Sequence, residues 1–198
     1  MRVGTIVIAT NNSDKLREMQ EILAGLSVEA ISLADAGVDV EVEETGSTFY
    51  DNAALKAKAV CEAAGLPAIA DDSGLMVDAL DGAPGVHSKR FGGGGLDSAA
   101  QCALLLNMMD AVEQRGAKFV SSIVCAFPDG TELCAEGECS GNITTAPRGA
   151  GGFGYDPIFL PEGSDRTMAE MPPSEKHAIS HRGNALRRFA EILHNHIG

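Results

Sequence analysis

The run Ala68-Ile69-Ala70-Asp71-Asp72-Ser73-Gly74 puts two adjacent carboxylates and a glycine directly after three small or branched apolar residues. Paired acids at the end of a buried strand can hold a hard cation, take a proton from water, or do both. The same residues suit an ordinary turn, because Asp and Ser bond their own backbone and Gly accepts positive φ. Taken alone, the segment favours the turn. Other segments, however, carry parts for the same chemistry. Glu43 and Glu44 form either a solvated turn or a second carboxylate for a metal shared with Asp72. Thr10-Asn11-Asn12-Ser13-Asp14-Lys15 brings free backbone N–H groups, hydroxyls, amides and a lysine to a helix start, which suits a phosphate. It lacks the Gly-x4-Gly-Lys spacing of a Walker loop. Lys56 flanks an apolar stripe, so it either snorkels to water or projects toward anionic oxygens in a cleft.

Two later stretches add to this set. In Gly151-Gly152-Phe153-Gly154-Tyr155-Asp156-Pro157, glycines around an aromatic ring let the backbone approach a flat ligand while the ring offers a stacking face. Asp156, restrained by the proline after it, can accept hydrogen bonds. The alternative is a tight buried turn with Phe153 and Tyr155 as core. Lys176, His181 and Arg182 form a late group of donors. Lys89 and Arg90 are balanced between helping to neutralise a ligand and a surface role.

The elements that must hold these residues read as mixed α/β. Val3 to Ala9 is a near-continuous apolar run, a strand covered on both faces. A helix capped at Asn12 or Ser13 follows, with Leu16, Met19, Ile22, Leu23 and Leu26 at helical spacing. Ser27 to Leu33 reads as a second strand. Thr48-Phe49-Tyr50-Asp51 has a capping-box pattern and opens a helix to about Ala64, with Phe49, Ala53, Ala57, Val60 and Ala64 as its buried stripe. Ala68–Ala70 is a short strand ending at the acids, and Leu75 to Leu80 is another strand-like run. Asp97 caps a helix carrying Ala100, Leu104, Met108 and Val112. Ala117–Phe127 and Thr131–Cys139 form a hairpin about Pro128-Asp129-Gly130. Ser174-Glu175-Lys176 and Ser180-His181-Arg182-Gly183 precede a C-terminal helix with Leu186, Phe189, Ala190 and Leu193 on one face. Strand–helix units come first and a hairpin-containing lobe second, so the expectation is an α/β fold of two lobes about a cleft.

Composition narrows the function. The 198 residues, 44% of them hydrophobic, are enough for one domain with a proper core. A formal charge of −13 argues against nucleic-acid binding as the main task. The five cysteines are odd in number and lack Cys-x-x-Cys spacing, which argues against a disulfide framework and a zinc site. No stretch approaches the roughly 20 apolar residues that span a bilayer. The expectation is therefore a soluble cytoplasmic protein with no membrane partner.

A phosphate-suited helix start, two acidic corners, an isolated lysine, a glycine-framed aromatic and a late donor group would all be used by a triphosphate, a divalent metal and a planar base. In these features the chain resembles the inosine triphosphate pyrophosphatase family. The likeness is carried by Ala9-Thr10-Asn11 with Lys15, Glu43-Glu44-Thr45-Gly46 followed by Phe49, Asn52, Ala53 and Lys56, and Ala70-Asp71-Asp72-Ser73-Gly74-Leu75. It continues through Gly82-Ala83-Pro84-Gly85, Gly151 to Pro157, and Ala178-Ile179-Ser180-His181-Arg182-Gly183. Met171-Pro172-Pro173 is a departure that bears on the path of Lys176.

The resemblance implies a single domain over residues 1–198, an elongated mixed sheet with flanking helices forming two lobes around a central substrate cleft, and a homodimer. It implies Mg²⁺-dependent hydrolysis of ITP, dITP and XTP to monophosphate and pyrophosphate. Carried over by position, Asp72 is the general base and a metal ligand, and Glu44 the second metal acid. Lys15 and Lys56 contact phosphates, and Thr10, Asn11, Asn12 and Ser73 line the substrate. Phe153 stacks on the base with Gly154 and Tyr155 beside it, and Asp156, Lys176, His181 and Arg182 surround its edge. Two alternatives are a related pyrimidine nucleotide pyrophosphatase and a nucleotide-binding regulator without turnover.

Overall fold

A computed structural model describes residues 4–24 and 28–197. The parts of the expected first strand at Val3, of the first helix face at Leu26 and of the second strand at Ser27 lie outside the described residues. Strands β1 (Thr5–Ile8), β2 (Glu29–Ile31), β3 (Ala68–Val77), β4 (Gly116–Ala126), β5 (Glu132–Ile143) and β6 (Phe159–Pro161) form one sheet in the order β2-β1-β3-β4-β5-β6. β1 runs parallel to β2 and β3, and β6 antiparallel to β5. Helices α1 (Ser13–Leu23), α2 (Phe49–Ala64), α3 (Ser98–Met108), α4 (Pro173–Ile179) and α5 (His181–Ile197) complete the expected mixed α/β fold.

Two compact units divide the chain. The first takes the chain up to Asp72, Ser121–Gly137 and everything from Arg182; the second takes Ser73–Val120 and Glu138–His181. In the first unit the period-2 alternation of strands sorts side chains onto two faces. Ile6, Ile8, Ile69, Ile123 and Cys125 pack with Met19 and Leu23 of α1 and with Leu186, Phe189 and Leu193 of α5. The residues between them, Val7, Ala68, Ala70, Val124 and Ala126, pack with Ala53, Ala57 and Val60 of α2. Each fully buried Leu, Ile or Phe contributes about 1.5–3 kcal/mol. The second unit has its own core around Leu75, Val77, Leu105, Met109, Phe119, Tyr155 and Phe159.

Local chemistry sets the helix ends. Asn12 Oδ1 accepts from the backbone N–H groups of Asp14 (2.9 Å) and Lys15 (3.1 Å), so the cap of α1 is Asn12 rather than Ser13. Thr48 and Asp51 close the expected capping box on α2, which ends at Gly65 in the left-handed conformation (φ 64°). Pro172 and Pro173 do not disturb the path to Lys176. Pro172 stands at the N-cap of α4 and Pro173 in its first turn, where the missing N–H has no partner to lose.

Three elements differ from the sequence reading. β3 does not stop at the acids: it runs unbroken through Asp71, Asp72, Ser73 and Gly74 to Val77, absorbing part of the separate Leu75–Leu80 run. Asp, Ser and Gly are poor strand formers, but paired charges and tertiary packing outweigh that preference. On α3 the innermost residues are Cys102 and Leu105, with Met109 just past its end also buried, whereas Met108 is 46% exposed. Apolar neighbours at Leu104–Leu106 and Met108–Met109 leave the phase of the helix open in the sequence, and the core selects one. Finally, α5 begins at His181 itself, immediately after Ser180 breaks the helical path with ψ 153°, so His181 and Arg182 lie in the first helical turn instead of preceding it.

Candidate active site

The alternation that sorts the core also sorts the acids. Asp71 shares the face of Ile69 and is directed to α1 and α5; Asp72 shares the face of Ala70 and is directed to α2. Asp72 Oδ1 lies 3.3 Å from Lys56 Nζ, and its Oδ2 accepts from Asn52 Nδ2 at 3.2 Å. Lys56 Nζ also donates to Glu44 Oε1 (2.9 Å) and to the Asp71 carbonyl (2.8 Å). Glu44 and Asp72, 28 residues apart in the chain, thus meet at one ammonium. Glu43 is exposed, which separates it from its neighbour.

Asn52 is fully buried and was not among the site residues named from sequence, although its position one turn before Lys56 was a signal. Its Oδ1 accepts from the Gly46 N–H at 2.7 Å. A Cβ on Gly46 would lie 2.7 Å from that same oxygen, so the loop carrying Glu44 can close on α2 only with glycine there.

On the other face Asp71 is enclosed by cations and a hydroxyl. Lys15 Nζ lies 2.7 Å from Oδ1, Arg182 Nε donates to Oδ2 at 3.0 Å, and Ser121 Oγ donates to Oδ2 at 3.1 Å. Arg182 Nη1 also donates to Glu18, and the arginine is 2% exposed. Arg182, grouped by the sequence with Lys176 and His181, thus also meets Asp71 and Glu18 with its guanidinium. Glu18 and Ser121 were likewise missed. The three-residue spacing of Lys15 and Glu18 on one helix face and a serine in an apolar strand were the available signals.

These surroundings drive the adjacent carboxyls apart. Burial pushes Asp72 up from the usual carboxylate range, and Lys56 and Lys15 only partly oppose it. Burial acts on Asp71 as well, but Arg182 and Lys15 outweigh it and hold that group well below its ordinary value. Burial lowers Lys15 despite Asp71, whereas Lys56 is raised because Asp72 and Glu44 together outweigh its burial. Neighbouring acids with opposed shifts are suited to different tasks, one a fixed charge and the other a proton acceptor. Thr10 Oγ1 accepts from the Asn12 N–H at 3.2 Å, and Asn11 is exposed at the start of α1.

The second unit holds the glycine-framed stretch. Asp156 Oδ2 accepts from the Phe153 N–H and from Lys176 Nζ, both at 2.8 Å, and Lys176 Nζ lies 4.5 Å from the Phe153 ring centroid. Gly152 has φ 69°, and a Cβ there would collide with the Asp156 carboxylate. Phe153 is half-buried, leaving part of its surface open. Tyr155, by contrast, is core: it is 4% exposed and its hydroxyl donates to the Ser88 carbonyl at 2.8 Å. The Gly154 carbonyl accepts from Cys102 Sγ at 3.4 Å. His181 stacks on Phe119 with centroids 4.7 Å apart and rings 11° from parallel. Ser73 is half-buried, and Lys89 and Arg90 are exposed.

Among the described residues, no group of three or more His, Cys, Asp or Glu could hold a metal unaided. The oxygens around Lys56 Nζ are nonetheless hard donors, two carboxylates and a carbonyl, already gathered about a positive charge. That donor set fits Mg²⁺, which typically takes one or two carboxylates together with substrate phosphates. No helix among the described residues is long and apolar enough to cross a membrane.

Known proteins resemble the chain over nearly its whole length. A curated dITP/XTP pyrophosphatase of Streptomyces coelicolor is 48% identical over 198 residues, covering 98% of both chains. One from Rhodopseudomonas palustris is 47% identical, covering 96% of this chain and 95% of that one. The solved structure of a HAM1 protein from Coxiella burnetii matches with TM-score 0.88 at 42% identity, over 97% of this chain and 99% of the other. The sequence profile of the Ham1 family matches residues 6–192. With a profile spanning almost all of the sequence and relatives nearly half identical along its length, the chain belongs to the Ham1 family.

Proposed function

We propose that this protein hydrolyses the non-standard purine nucleotides ITP, dITP and XTP to the monophosphate and pyrophosphate, with Mg²⁺, and so removes them from the nucleotide pool. The observation that carries this reading is the convergence of Glu44 and Asp72 on Lys56, beside a buried Asn52, in a chain whose relatives are named dITP/XTP pyrophosphatases. Lys15 and Lys56 bind phosphate oxygens, and the α1 start with Thr10, Asn11 and Asn12 adds backbone and side-chain donors, as does Ser73. Asp72, its carboxyl pushed upward by burial, takes the proton of the attacking water. The water oxygen bonds the α-phosphorus, the bond from that phosphorus to the bridging oxygen breaks, and pyrophosphate leaves. Glu44 and Asp72 would hold Mg²⁺, which when bound neutralises phosphate oxygens and acidifies water.

Phe153 stacks on the base, with Gly154 as close backbone and Tyr155 supporting the turn. Lys176, fixed by Asp156, and His181, fixed by Phe119, supply donors to the 6-keto oxygen. Adenine's amino group would leave such donors unpaired, at about 1–3 kcal/mol each. Arg182, whose guanidinium also meets Asp71 and Glu18, completes the donor group around the edge of the base. The reading extends to one two-lobed domain acting as a cytoplasmic homodimer, which gel filtration with light scattering would check for assembly.

A panel of ITP, dITP, XTP, dATP, dTTP and UTP with product identification tests the activity. Pyrophosphate from the first three, with dATP slower by at least about tenfold, is expected from the donor accounting. Orthophosphate as product, preference for dTTP or UTP, or binding without turnover would replace the reading.

A further inference from the structure

Asn52 is the polar exception among the buried residues of α2, which are otherwise Phe49, three alanines, Val60 and Cys61. It has no exposed surface. A buried amide needs partners at both ends, whereas a leucine of similar volume needs none, so packing alone does not account for it. Both ends are in fact paired: Oδ1 accepts from the Gly46 N–H at 2.7 Å, and Nδ2 donates to Asp72 Oδ2 at 3.2 Å. Because a backbone N–H can only donate, Gly46 decides which end of the amide is oxygen and turns the NH2 group to Asp72.

Gly46 lies two residues beyond Glu44, in a stretch, 38–46, that forms neither helix nor strand. Asp72, by contrast, is carried by β3. One planar group therefore joins the main chain beside the first acid to the carboxylate of the second. Lys56 also joins them, at 2.9 Å from Glu44 Oε1 and 3.3 Å from Asp72 Oδ1, but its ammonium ends a flexible stem and the proposed function has it meet phosphate oxygens as well. Asn52 holds the other oxygen of Asp72 and a backbone N–H, neither of which the substrate engages in that reading. We infer that Asn52 is a positioning residue that fixes Glu44 and Asp72 at the separation needed to hold a divalent cation, working through Gly46 on one side and Asp72 Oδ2 on the other. Groups that orient metal-binding side chains without touching the metal typically carry about 10- to 100-fold in metal affinity or activity. Gly46 offers an independent way to break the linkage. A Cβ there would lie 2.7 Å from Asn52 Oδ1 and 2.5 Å from the Asp51 Cβ, and its φ is not in the left-handed region, so alanine is opposed by contact and not by backbone conformation.

This inference rests on the pyrophosphatase reading, so the unaltered protein is first assayed for pyrophosphate release from dITP; no release removes both, whereas release followed by failure below removes only the positioning role. Asn52→Leu, Gly46→Ala and the double variant are compared at a temperature where melting curves show full folding. Three quantities are measured: kcat and KM for dITP, the affinity of α,β-imido-ITP without metal, and the affinity for Mn²⁺ of the protein–analogue complex, followed by electron paramagnetic resonance. Each single variant should lose about 10-fold in kcat and about 10-fold in Mn²⁺ affinity. The double variant should fall within about threefold of the weaker single, because both changes break one linkage. Metal-free analogue affinity should stay within about threefold of the parent. Where Asn52→Leu does not fold, Gly46→Ala decides alone on the same values. Parent-like kcat and Mn²⁺ affinity in a folded single variant, or losses that multiply in the double variant, would overturn the inference. So would an analogue affinity that falls as far as kcat, since Asn52 would then support the substrate pocket and not the pair of acids.

Discussion

Asp71 and Asp72 are chemically identical and share a peptide bond, so every difference between them comes from what each faces. Asp71 meets Arg182, Lys15 and Ser121 and stays ionised; Asp72 meets one ammonium and an amide, and burial keeps its proton affinity high. For Asp72 the folded-state pKa lies above the unfolded value. Any stability it lends is therefore greatest below the unfolded pKa near 4 and is lost as pH rises through the folded one. Once ionised, this carboxylate is a cost to the fold. Asp72→Asn is accordingly expected to reduce dITP turnover by about 10²–10⁴-fold while leaving analogue binding within a few-fold. It should also melt no lower than the parent at pH 7.5. Calorimetry and a pyrophosphate assay on one preparation check both halves, and a variant that keeps turnover would deny Asp72 its role as base.

Among the elements, α2 was the most legible in the sequence. Thr48 with Asp51 three residues on, a clean apolar stripe and Gly65 at the end all point the same way, and the helix starts and stops where they say. Gly65 in particular has φ 64° with nothing within 4 Å of where a Cβ would stand, so Gly65→Ala isolates the backbone cost of the left-handed conformation. A loss of about 1 kcal/mol, or about 2–4 °C in Tm, with unchanged turnover is expected from thermal melts. β3 was the least legible. Its two acids, serine and glycine carry loop propensities that only distant partners overrule, and those partners, Arg182 and Ser121, are 111 and 50 residues away. The same remoteness hid Glu18, whereas Lys56 and Phe153 could be found because their unusual neighbours lie within a few positions in the chain.

At the scale of the whole molecule, acid should expose the charge cluster around Asp71. Asp71 has a folded pKa well below its unfolded value, so it stabilises the protein above pH 4 and that contribution disappears as pH falls through the folded pKa. Asp71→Asn leaves Arg182 and Lys15 without their shared anion, a loss of about 3–5 kcal/mol at neutral pH. The deficit against the parent should be constant from pH 5 to 7 and narrow progressively below about pH 4, where the unfolded chain's carboxyl takes up a proton that the folded one still resists. Chemical denaturation across that range measures it, and a deficit that persists unchanged at pH 3 would mean that Asp71 stabilises by packing instead of charge. The overall α/β class and the order of parallel units before the hairpin followed from patterning alone. The split of the late donors, with Lys176 and His181 in one unit and Arg182 in the other, did not, because a unit boundary between adjacent residues leaves no mark on composition.

The unbroken course of β3 through its acids has a consequence for how this sequence can change. With odd-numbered residues turned to α1 and α5 and even-numbered ones to α2, inserting or deleting a single residue between Ala68 and Asp71 would turn each acid toward the other's partners. The proposed chemistry thus depends on the parity of a short count, and on that reading length variation in the chain must fall outside it.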